Sequence, residues 1–241
     1  MTIASKAVLV TGANRGIGQA LVEEALGRGA SRVYAATRQP LAHRDGRVTP
    51  LILDVTDAAQ IQRAVERVES LDILINNAGV ALYDDLSDRA VLEQHLAVNL
   101  FGTYGVTQAF LPLLTSSQGA IVNNVSMMAF APLPLTPAYA VSKAAAFNLT
   151  QSLRALLAGR GVRVHAVLTG PTDTDMTRGF EIPKASSGVW STTKVVAKFW
   201  LLMAVSVSGF ERWACGVCAY DARGVASTSA AYWRSNALAG P

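Results

Sequence analysis

KAVLVTGANRGIG, residues 6–18, joins an uninterrupted apolar run to a glycine-rich turn. The apolar half predicts a buried β-strand over 6–12, and the second half opens a predicted helix over 16–28. A tight turn between a strand and a helix places backbone N–H groups and the positive helix end where a pyrophosphate can bind. The spacing is GxxxGxG rather than GxGxxG, and an ordinary strand-to-helix turn is the alternative interpretation.

The same alternation of apolar and helical segments continues along the chain. Further strands are predicted at 31–38, 48–55, 71–79 (running into a loop), 119–126 and 161–170. Further helices are predicted at 57–69, 88–99, 102–115 and 137–159. Continuous Val, Ile and Leu strands separated by helices are typical of a parallel sheet covered on both faces. We therefore expect an α/β fold with a doubly wound Rossmann-type sheet, as a single NAD(P)-binding domain over 1–241.

Composition narrows the class of protein. The chain has 241 residues, of which 51% are apolar and 16% charged, so it is expected to fold around a large core. Its net charge of +4 is too small and too scattered to indicate nucleic-acid binding. No secretory signal is evident, and the apolar run Phe199–Val207 is too short to span a membrane. We expect a cytoplasmic protein with a small-molecule partner and neither a nucleic-acid nor a membrane partner.

Residues 185–241 differ from the rest of the chain. They hold all four tryptophans, and a helix near 191–205 and a strand near 214–220 are predicted there. Cys215 and Cys218 form a CxxC pair, but a metal site needs more ligands than this pair supplies. We interpret the two cysteines as reduced structural thiols and predict no metal.

Tyr139 and Lys143 are spaced i, i+4 in a predicted helix and therefore share one face. An ammonium close to a phenol favours ionisation of the phenol, as proton transfer by tyrosine at neutral pH requires. Ser126 ends the strand 119–126 and can reach the same point. Taken alone, the pair is more often a surface tyrosine and a solvated lysine.

The residues after the second strand bear on the cofactor. An acidic residue there would bind a ribose 2′-hydroxyl, but this chain has Thr37-Arg38-Gln39, and Arg15 lies inside the glycine turn. Guanidinium groups bind phosphate bidentately, so the pattern favours NADP(H) over NAD(H). The alternative is that Arg38 is a solvated surface charge, which would weaken that preference.

Seven motifs occur in a fixed order along the chain. They are TGANRGIG (11–18), Asp54-Val55, NNAG (76–79), Asn99, Ser126, Tyr139-xxx-Lys143 and the segment Gly170–Met176. With these residues the chain resembles the short-chain dehydrogenase/reductase family, in its short single-domain form, over about residues 5–180. The resemblance implies NAD(P)-dependent oxidoreduction of a carbonyl/alcohol pair in a homodimer or homotetramer. The helices 102–115 and 137–159 resemble the assembly surface of that family.

The resemblance also implies roles for individual residues. The catalytic set would be Asn99, Ser126, Tyr139 and Lys143. The cofactor-binding set would be Gly12, Asn14, Arg15, Gly16, Ile17, Gly18, Thr37, Arg38, Asp54, Val55, Asn77, Ala78, Gly79, Tyr139, Lys143, Gly170, Thr172, Thr174 and Met176. Asn99 would hold a water that links Lys143 to solvent, and Asn76 resembles a structural brace. Tyr139 would act as the general acid of carbonyl reduction.

Two parts of the chain depart from the family pattern. The usual Pro-Gly after the sixth strand is Thr169-Gly170 here, with Pro171 displaced past the glycine. The segment CGVCAYDARG, residues 215–224, only faintly matches the closing strand of the family. Binding roles beyond about residue 180 are therefore not carried over.

A mainly apolar group of residues is expected to bound the substrate pocket: Val80, Leu82, Tyr83, Met127, Met128, Phe130, Leu133, Phe180 and Ile182. This composition predicts a hydrophobic ketone or aldehyde as substrate, under a lid formed by 170–190. Two other functions stay open: an NADP-dependent alcohol dehydrogenase working oxidatively, and a non-catalytic NADP(H)-binding regulator. A sugar-nucleotide epimerase is a further alternative, but we expect it to have a longer C-terminal substrate domain, for which 241 residues leave little room.

Overall fold

The computed structural model describes residues 2–170 together with Thr172, Thr174 and Met176. Six parallel strands form one sheet in the order β3-β2-β1-β4-β5-β6. The strands are β1 Ala7–Thr11, β2 Arg32–Thr37, β3 Val48–Ile52, β4 Ile73–Asn76, β5 Ala120–Asn124 and β6 Arg163–Val167. The order reverses direction between β1 and β4, which confirms the predicted doubly wound sheet.

Five α-helices connect these strands in the described part of the chain. They are α1 Gly16–Gly27, α2 Ala58–Arg67, α3 Arg89–Leu96, α4 Thr103–Ser116 and α5 Pro137–Leu157. Short 3-10 helices cover Met127–Ala129 and Ala158–Arg160. The sequence pattern predicted separate helices at 88–99 and 102–115, but a π-helix over Ala97–Gly102 joins α3 directly to α4.

The core lies on both faces of the sheet, because successive strand residues point to opposite sides. Leu9 packs with Phe110 of α4 on the face covered by α2, α4 and α5. Its neighbour Val10 packs with Leu21 of α1 on the other face. All four side chains are fully buried. The two layers fix the carboxyl ends of the strands in a row along one edge of the sheet.

Most strands end earlier than the apolar pattern predicts. The strand expected over 71–79 is ordered as strand only over Ile73–Asn76. The next backbone N–H groups, of Asn77 and Ala78, bond to the hydroxyl of Thr11 instead of a neighbouring strand. Residues 77–79 thus lie outside the sheet although they are partly buried. A hydrophobicity pattern cannot distinguish them from strand residues.

The outer strand β3 contains a proline. Pro50 pairs in register with Ala35 of β2. The ladder bonds between the strands include Val33 N–H to the Arg47 carbonyl and Leu53 N–H to the Thr37 carbonyl. Since bonding groups alternate along a strand, the nitrogen of Pro50 points away from β2 and no ladder bond is lost.

Several predictions fall outside the described residues. They concern Phe180, Ile182, Cys215, Cys218, the lid beyond Met176, the helix near 191–205, the strand near 214–220 and the segment 185–241 as a whole. Within the described part, none of the helices combines the length and apolarity needed to cross a membrane.

Candidate active site

The glycine turn has the conformation that its sequence predicts. Gly12 has φ +66° and Gly16 has φ +53°, values that side chains disfavour. At Gly18 a Cβ atom would collide with the Gly12 carbonyl oxygen and lie 2.7 Å from the Asn77 amide nitrogen. The turn is therefore packed so closely against the end of β4, its neighbour in the sheet, that only glycine fits at position 18.

Side chains from β1 and β4 brace this turn from below. The hydroxyl of Thr11 accepts the N–H groups of Asn77 and Ala78 at 2.9 and 3.0 Å. The amide of Asn77 donates back to the Thr11 carbonyl at 3.0 Å. Asn76 bonds to Thr107 and Asn123 in the buried interior, as expected of a brace. Asn77, predicted to line the cofactor, thus also uses its side chain structurally.

The residues predicted to read the adenosine end of a cofactor lie at the ends of β2 and β3. Arg38 is exposed and has neither an ion pair nor a hydrogen bond among the described residues, whereas the Thr37 hydroxyl donates to the Gln39 carbonyl at 2.5 Å. Asp54 accepts the N–H and hydroxyl of Thr56 at 2.9 and 2.7 Å. Val55 is buried against Gly102. Asn14 and Arg15 are exposed on the turn, and Ile17 is partly buried.

Tyr139, Lys143 and Ser126 converge as the sequence predicts. The Lys143 nitrogen lies 5.6 Å from the centre of the Tyr139 ring and donates to the Asn124 carbonyl at 3.0 Å. Ser126 lies near enough to the Tyr139 phenol to lower its pKa slightly. Ser126 also donates to the Thr169 carbonyl at 3.4 Å and accepts the Met128 N–H at 3.2 Å.

Burial dominates the protonation of this site. Desolvation raises the pKa of Tyr139 to about 12, against a smaller lowering by the Ser126 hydrogen bond. Desolvation also lowers the pKa of Lys143 to about 8. The net shift of the Tyr139 pKa is therefore upward, because burial outweighs the other effects, and the lowering by the Lys143 ammonium stays a prediction. The phenol is held in its protonated form.

Asn99 lies in the π-helix, and its side chain is fully engaged by two segments. The amide accepts the Val80 N–H at 2.9 Å and donates to the Val80 carbonyl and to the Ser142 hydroxyl at 3.0 and 2.9 Å. Ser142 in turn donates to the Tyr139 carbonyl at 2.7 Å. A Cβ on Gly79 would lie 3.1 Å from Asn99 Oδ1 and 3.7 Å from the Lys143 nitrogen. The predicted water relay through Asn99 stays a prediction.

The loop after β6 closes the other side of the site. Thr169 is buried and Gly170 half-buried. Thr172 is buried and donates its hydroxyl to the Gly170 carbonyl at 3.1 Å, while Met176 is exposed. A Cβ on Gly16 would lie 3.3 Å from a methyl carbon of Thr174. The loop therefore reaches the glycine turn, as the resemblance implies.

The comparison with protein families agrees with this geometry. Residues 6–184 match the model of the short chain dehydrogenase family. The chain belongs to the short-chain dehydrogenase family. As a member, it is an NAD(P)-dependent oxidoreductase that acts on CH–OH and C=O groups.

Individual short-chain dehydrogenases resemble the chain over most of its length. Mouse estradiol 17-beta-dehydrogenase 2 is 35% identical over 199 residues, 76% of this chain and 52% of the mouse protein, so the chain spans about half of that relative. The 3-oxoacyl-(acyl-carrier-protein) reductase of Thermotoga maritima is 35% identical over 193 residues, 73% of this chain and 78% of the reductase. A solved short chain dehydrogenase from Burkholderia cenocepacia, in complex with NADP, is 37% identical with a TM-score of 0.81, covering 86% of this chain and 87% of that chain.

Two residues of this short-chain dehydrogenase site carry no signal in the sequence. His95 is fully buried, with its ring edge-on to Tyr139 at 6.3 Å between centroids. It accepts the Leu82 N–H at 3.1 Å, so the other ring nitrogen carries the proton donated to the Val91 carbonyl at 2.7 Å. The tautomer is thereby fixed, and His95 ties the loop after β4 to α3.

Asp84 is the second such residue. Its carboxylate accepts the Ala138 N–H at 3.1 and 3.3 Å, at the first turn of α5. Thr136, the residue at the cap position, makes no side-chain cap bond itself. The cap comes from a residue distant in sequence, which explains why no local pattern predicts it. Asp84 fixes the start of the helix that carries Tyr139.

The predicted pocket residues that the structure describes lie in the segments that follow β4 and β5. Leu82, Tyr83 and Phe130 are exposed, and Phe130 packs edge-on against Phe147 at 4.7 Å between centroids. The other predicted lining residues that the structure describes are partly buried: Val80, Met127, Met128 and Leu133.

Proposed function

We propose that this enzyme reduces hydrophobic ketones or aldehydes to alcohols with NADPH. The observation that carries the proposal is the buried, protonated Tyr139 phenol near Ser126, with the Lys143 ammonium one helical turn away. A tyrosine whose pKa lies near 12 keeps its proton until a developing alkoxide can take it.

The residues present fit a dinucleotide phosphate. Gly12, Gly16 and Gly18 leave a cradle that a Cβ would fill, at the positive end of α1. Arg38 offers an exposed guanidinium without a partner among the described residues, and Arg15 is exposed on the glycine turn. NADP in the Burkholderia cenocepacia relative supports the same preference. When bound, the cofactor supplies the hydride.

The protein residues supply orientation and proton transfer. Tyr139 donates to the substrate oxygen and passes its proton to that oxygen as negative charge develops. The single Ser126 hydroxyl proton, which points to the Thr169 carbonyl here, turns to the same oxygen when substrate binds. Lys143 stabilises the phenolate that Tyr139 then carries, because an adjacent ammonium is the strongest charge in a site that burial has removed from water. Asn99 holds the Val80 loop against α5 and so keeps the site closed on that side.

Exposed apolar residues support the substrate class. Leu82, Tyr83 and Phe130, in the segments after β4 and β5, leave apolar surface exposed, and apolar surface is covered by apolar ligands. The estradiol-acting name of the mouse relative is compatible with such a ligand. Alcohol oxidation is the second candidate direction, but it requires the ionised tyrosine, which the raised pKa of Tyr139 disfavours.

We also propose that the enzyme works as a homodimer or homotetramer, assembled through α4 and α5. Phe101, Tyr104 and Val141 are exposed on or next to these helices. Apolar side chains exposed on adjacent helices are typical of subunit interfaces. Light scattering of the purified protein tests this: a monomeric mass would contradict it.

The function is tested by following NADPH oxidation optically against a panel of aryl and alkyl ketones and aldehydes. We expect turnover that Tyr139→Phe lowers by about 10²–10⁴-fold, the usual contribution of a general acid. NADPH binding, followed by fluorescence, should survive in that variant because the phenylalanine keeps the ring. Undiminished turnover by Tyr139→Phe would reject the mechanism, and NADPH binding without turnover of any carbonyl would favour a regulator.

A further inference from the structure

Thr169, which departs from the Pro-Gly pattern of the family, has a hydrogen-bond partner on the neighbouring strand. Its hydroxyl lies 3.2 Å from the amide oxygen of Asn124 and 3.2 Å from the Val125 carbonyl. A proline at this position would have no hydroxyl to donate. Thr169, which replaces the usual proline after β6, thus bonds to a polar side chain, Asn124, at the end of β5.

The bond between Thr169 and Asn124 is the first of a row. The Asn124 amide donates to the side-chain oxygen of Asn77 at 3.0 Å, and the Asn77 amide donates to the carbonyls of Thr11 and Gly12 at 3.0 and 3.4 Å. Each amide accepts from one side and donates to the other. The row crosses the carboxyl ends of β6, β5, β4 and β1 and ends at the glycine turn.

The backbone of the same two residues holds the reacting groups. The carbonyl of Asn124 accepts the Lys143 ammonium at 3.0 Å. The carbonyl of Thr169 accepts the Ser126 hydroxyl at 3.4 Å and the Met127 N–H at 3.0 Å. A change in either side chain would therefore tilt the peptide group on which a reacting side chain rests.

We propose that Asn124 and Thr169 are positioning residues, which set Ser126 and Lys143 in register with the glycine turn through this row. The inference rests on the proposed function only for its kinetic readout. Hydrogen bonds that share members act together, because each fixes the orientation of the next amide. Loss of the Thr169 hydroxyl should loosen the Ser126 side of the row, and loss of the Asn124 amide should loosen both ends.

The test compares Thr169→Val, which keeps the shape and removes the hydroxyl, with Thr169→Ser, which keeps the hydroxyl. Thr150→Val is the matched control, because Thr150 is a buried threonine that bonds Asn123 and the Ala146 carbonyl away from the site. We expect Thr169→Val to lower kcat about tenfold, the effect of one buried hydrogen bond, and Thr169→Ser to restore it. Thr150→Val should lower the melting temperature without lowering kcat.

Asn124→Leu supplies a readout that needs no turnover. It should weaken NADPH binding, measured by fluorescence, about tenfold through Asn77, whereas Thr150→Val should leave that affinity unchanged. The losses in kcat for Thr169→Val and Asn124→Leu should not multiply in the double variant, because they interrupt one row. Wild-type kcat in Thr169→Val, multiplying losses, or wild-type NADPH affinity in Asn124→Leu would each overturn the proposal. If wild-type protein reduces no carbonyl, the proposed function fails, and the row is then judged on NADPH affinity alone.

Discussion

Lys143 places its ammonium nitrogen 5.6 Å from the centre of the Tyr139 ring, one turn further along α5. The same burial moves their pKa values in opposite directions, to about 12 for Tyr139 and about 8 for Lys143. The two values leave a wide interval in which the phenol is protonated while the lysine is already neutral. Near neutral pH, the pH response of this site is therefore set by the lysine.

Carbonyl reduction should slow as the pH rises through about 8, because Lys143 loses its charge while Tyr139 keeps its proton. The measurement is kcat/KM for NADPH across neutral and alkaline pH, which reports groups in the free enzyme. Lys143→Arg is the informative variant, since a guanidinium stays charged throughout. Its activity should be lower but should show no such decline. A decline at the same pH in both proteins would assign it to another group.

Protein stability should also depend on Lys143. Below about pH 8 the folded state carries a buried ammonium, and between about 8 and 10.5 it has released a proton that the unfolded chain still holds. The free energy of unfolding should therefore rise with pH across that window, by about 3 kcal/mol from this group. Tyr139 acts oppositely between 10.0 and about 12, where the unfolded tyrosine ionises first.

Denaturant unfolding of wild type and Lys143→Met at several pH values isolates the lysine contribution. Other groups cancel in the difference between the two proteins, so the advantage of the methionine variant should shrink as the pH rises from neutrality to about 10. A difference that stays constant with pH would mean that Lys143 titrates normally in the folded protein.

Arg38→Asp should move cofactor preference toward NADH. The substitution removes the guanidinium that we propose binds the 2′-phosphate, and it adds a carboxylate that repels a 2′-phosphate and can accept a ribose hydroxyl. We expect the NADPH-to-NADH ratio of kcat/KM to fall by at least about tenfold, as one charge-assisted hydrogen bond is worth about 1.5–3 kcal/mol. Arg63→Asp, the same charge change on the exposed side of α2, should leave the ratio unchanged. An equal fall of the ratio in both variants would mean that the net charge of the protein, and not Arg38 itself, sets the cofactor preference.

Two glycines of α1 allow a paired test of the turn. Gly18→Ala would force a Cβ into the Gly12 carbonyl, so it should destabilise the fold by about 1–3 kcal/mol and abolish NADPH binding. Gly27→Ala has nothing within 4 Å of its Cβ and should stabilise the protein by about 0.5–1 kcal/mol with unchanged binding. Thermal unfolding and fluorescence titration check both. Intact NADPH binding in Gly18→Ala would refute the close packing of the turn.

His95→Phe should reduce catalytic efficiency while keeping the aromatic contact with Tyr139. The variant leaves the Leu82 N–H without its acceptor, at a cost of about 1–3 kcal/mol, and frees the loop that carries Leu82 and Tyr83. The lower catalytic efficiency should result mainly from a higher KM for the carbonyl substrate. His95→Gln, which retains an acceptor and a donor, should recover part of the loss. Equal kinetics for the phenylalanine variant and wild type would make His95 a packing residue only.

The sequence predicts the parts of this molecule that depend on local chemistry. Gly12 and Gly18 are needed for backbone geometry and packing that no other residue allows. Their spacing in the sequence therefore predicts the turn. Tyr139 and Lys143 meet because helical spacing requires it. Parallel strands follow from buried apolar runs, and their carboxyl ends then bring Ser126 near the helix.

What the sequence does not predict depends on partners distant along the chain. Asp84 caps α5 from a loop that precedes it by more than 50 residues, and His95 bonds two backbone groups that no motif marks. The sequence pattern predicts a break between two helices at the place where the π-helix buries Asn99. The balance of pKa values also escapes prediction, because it depends on how far Tyr139 and Lys143 leave water together.

Pro50 has a consequence for how these molecules behave in a crowded solution. The free flank of an outer strand can recruit a strand from another molecule, and recruitment needs an unbroken series of donors. Because the nitrogen of Pro50 points outward and carries no hydrogen, β3 interrupts that series at its centre. Since β3 is the outer strand of the sheet among the described residues, we expect Pro50 to disfavour addition of a further strand there without any loss of bonds to β2.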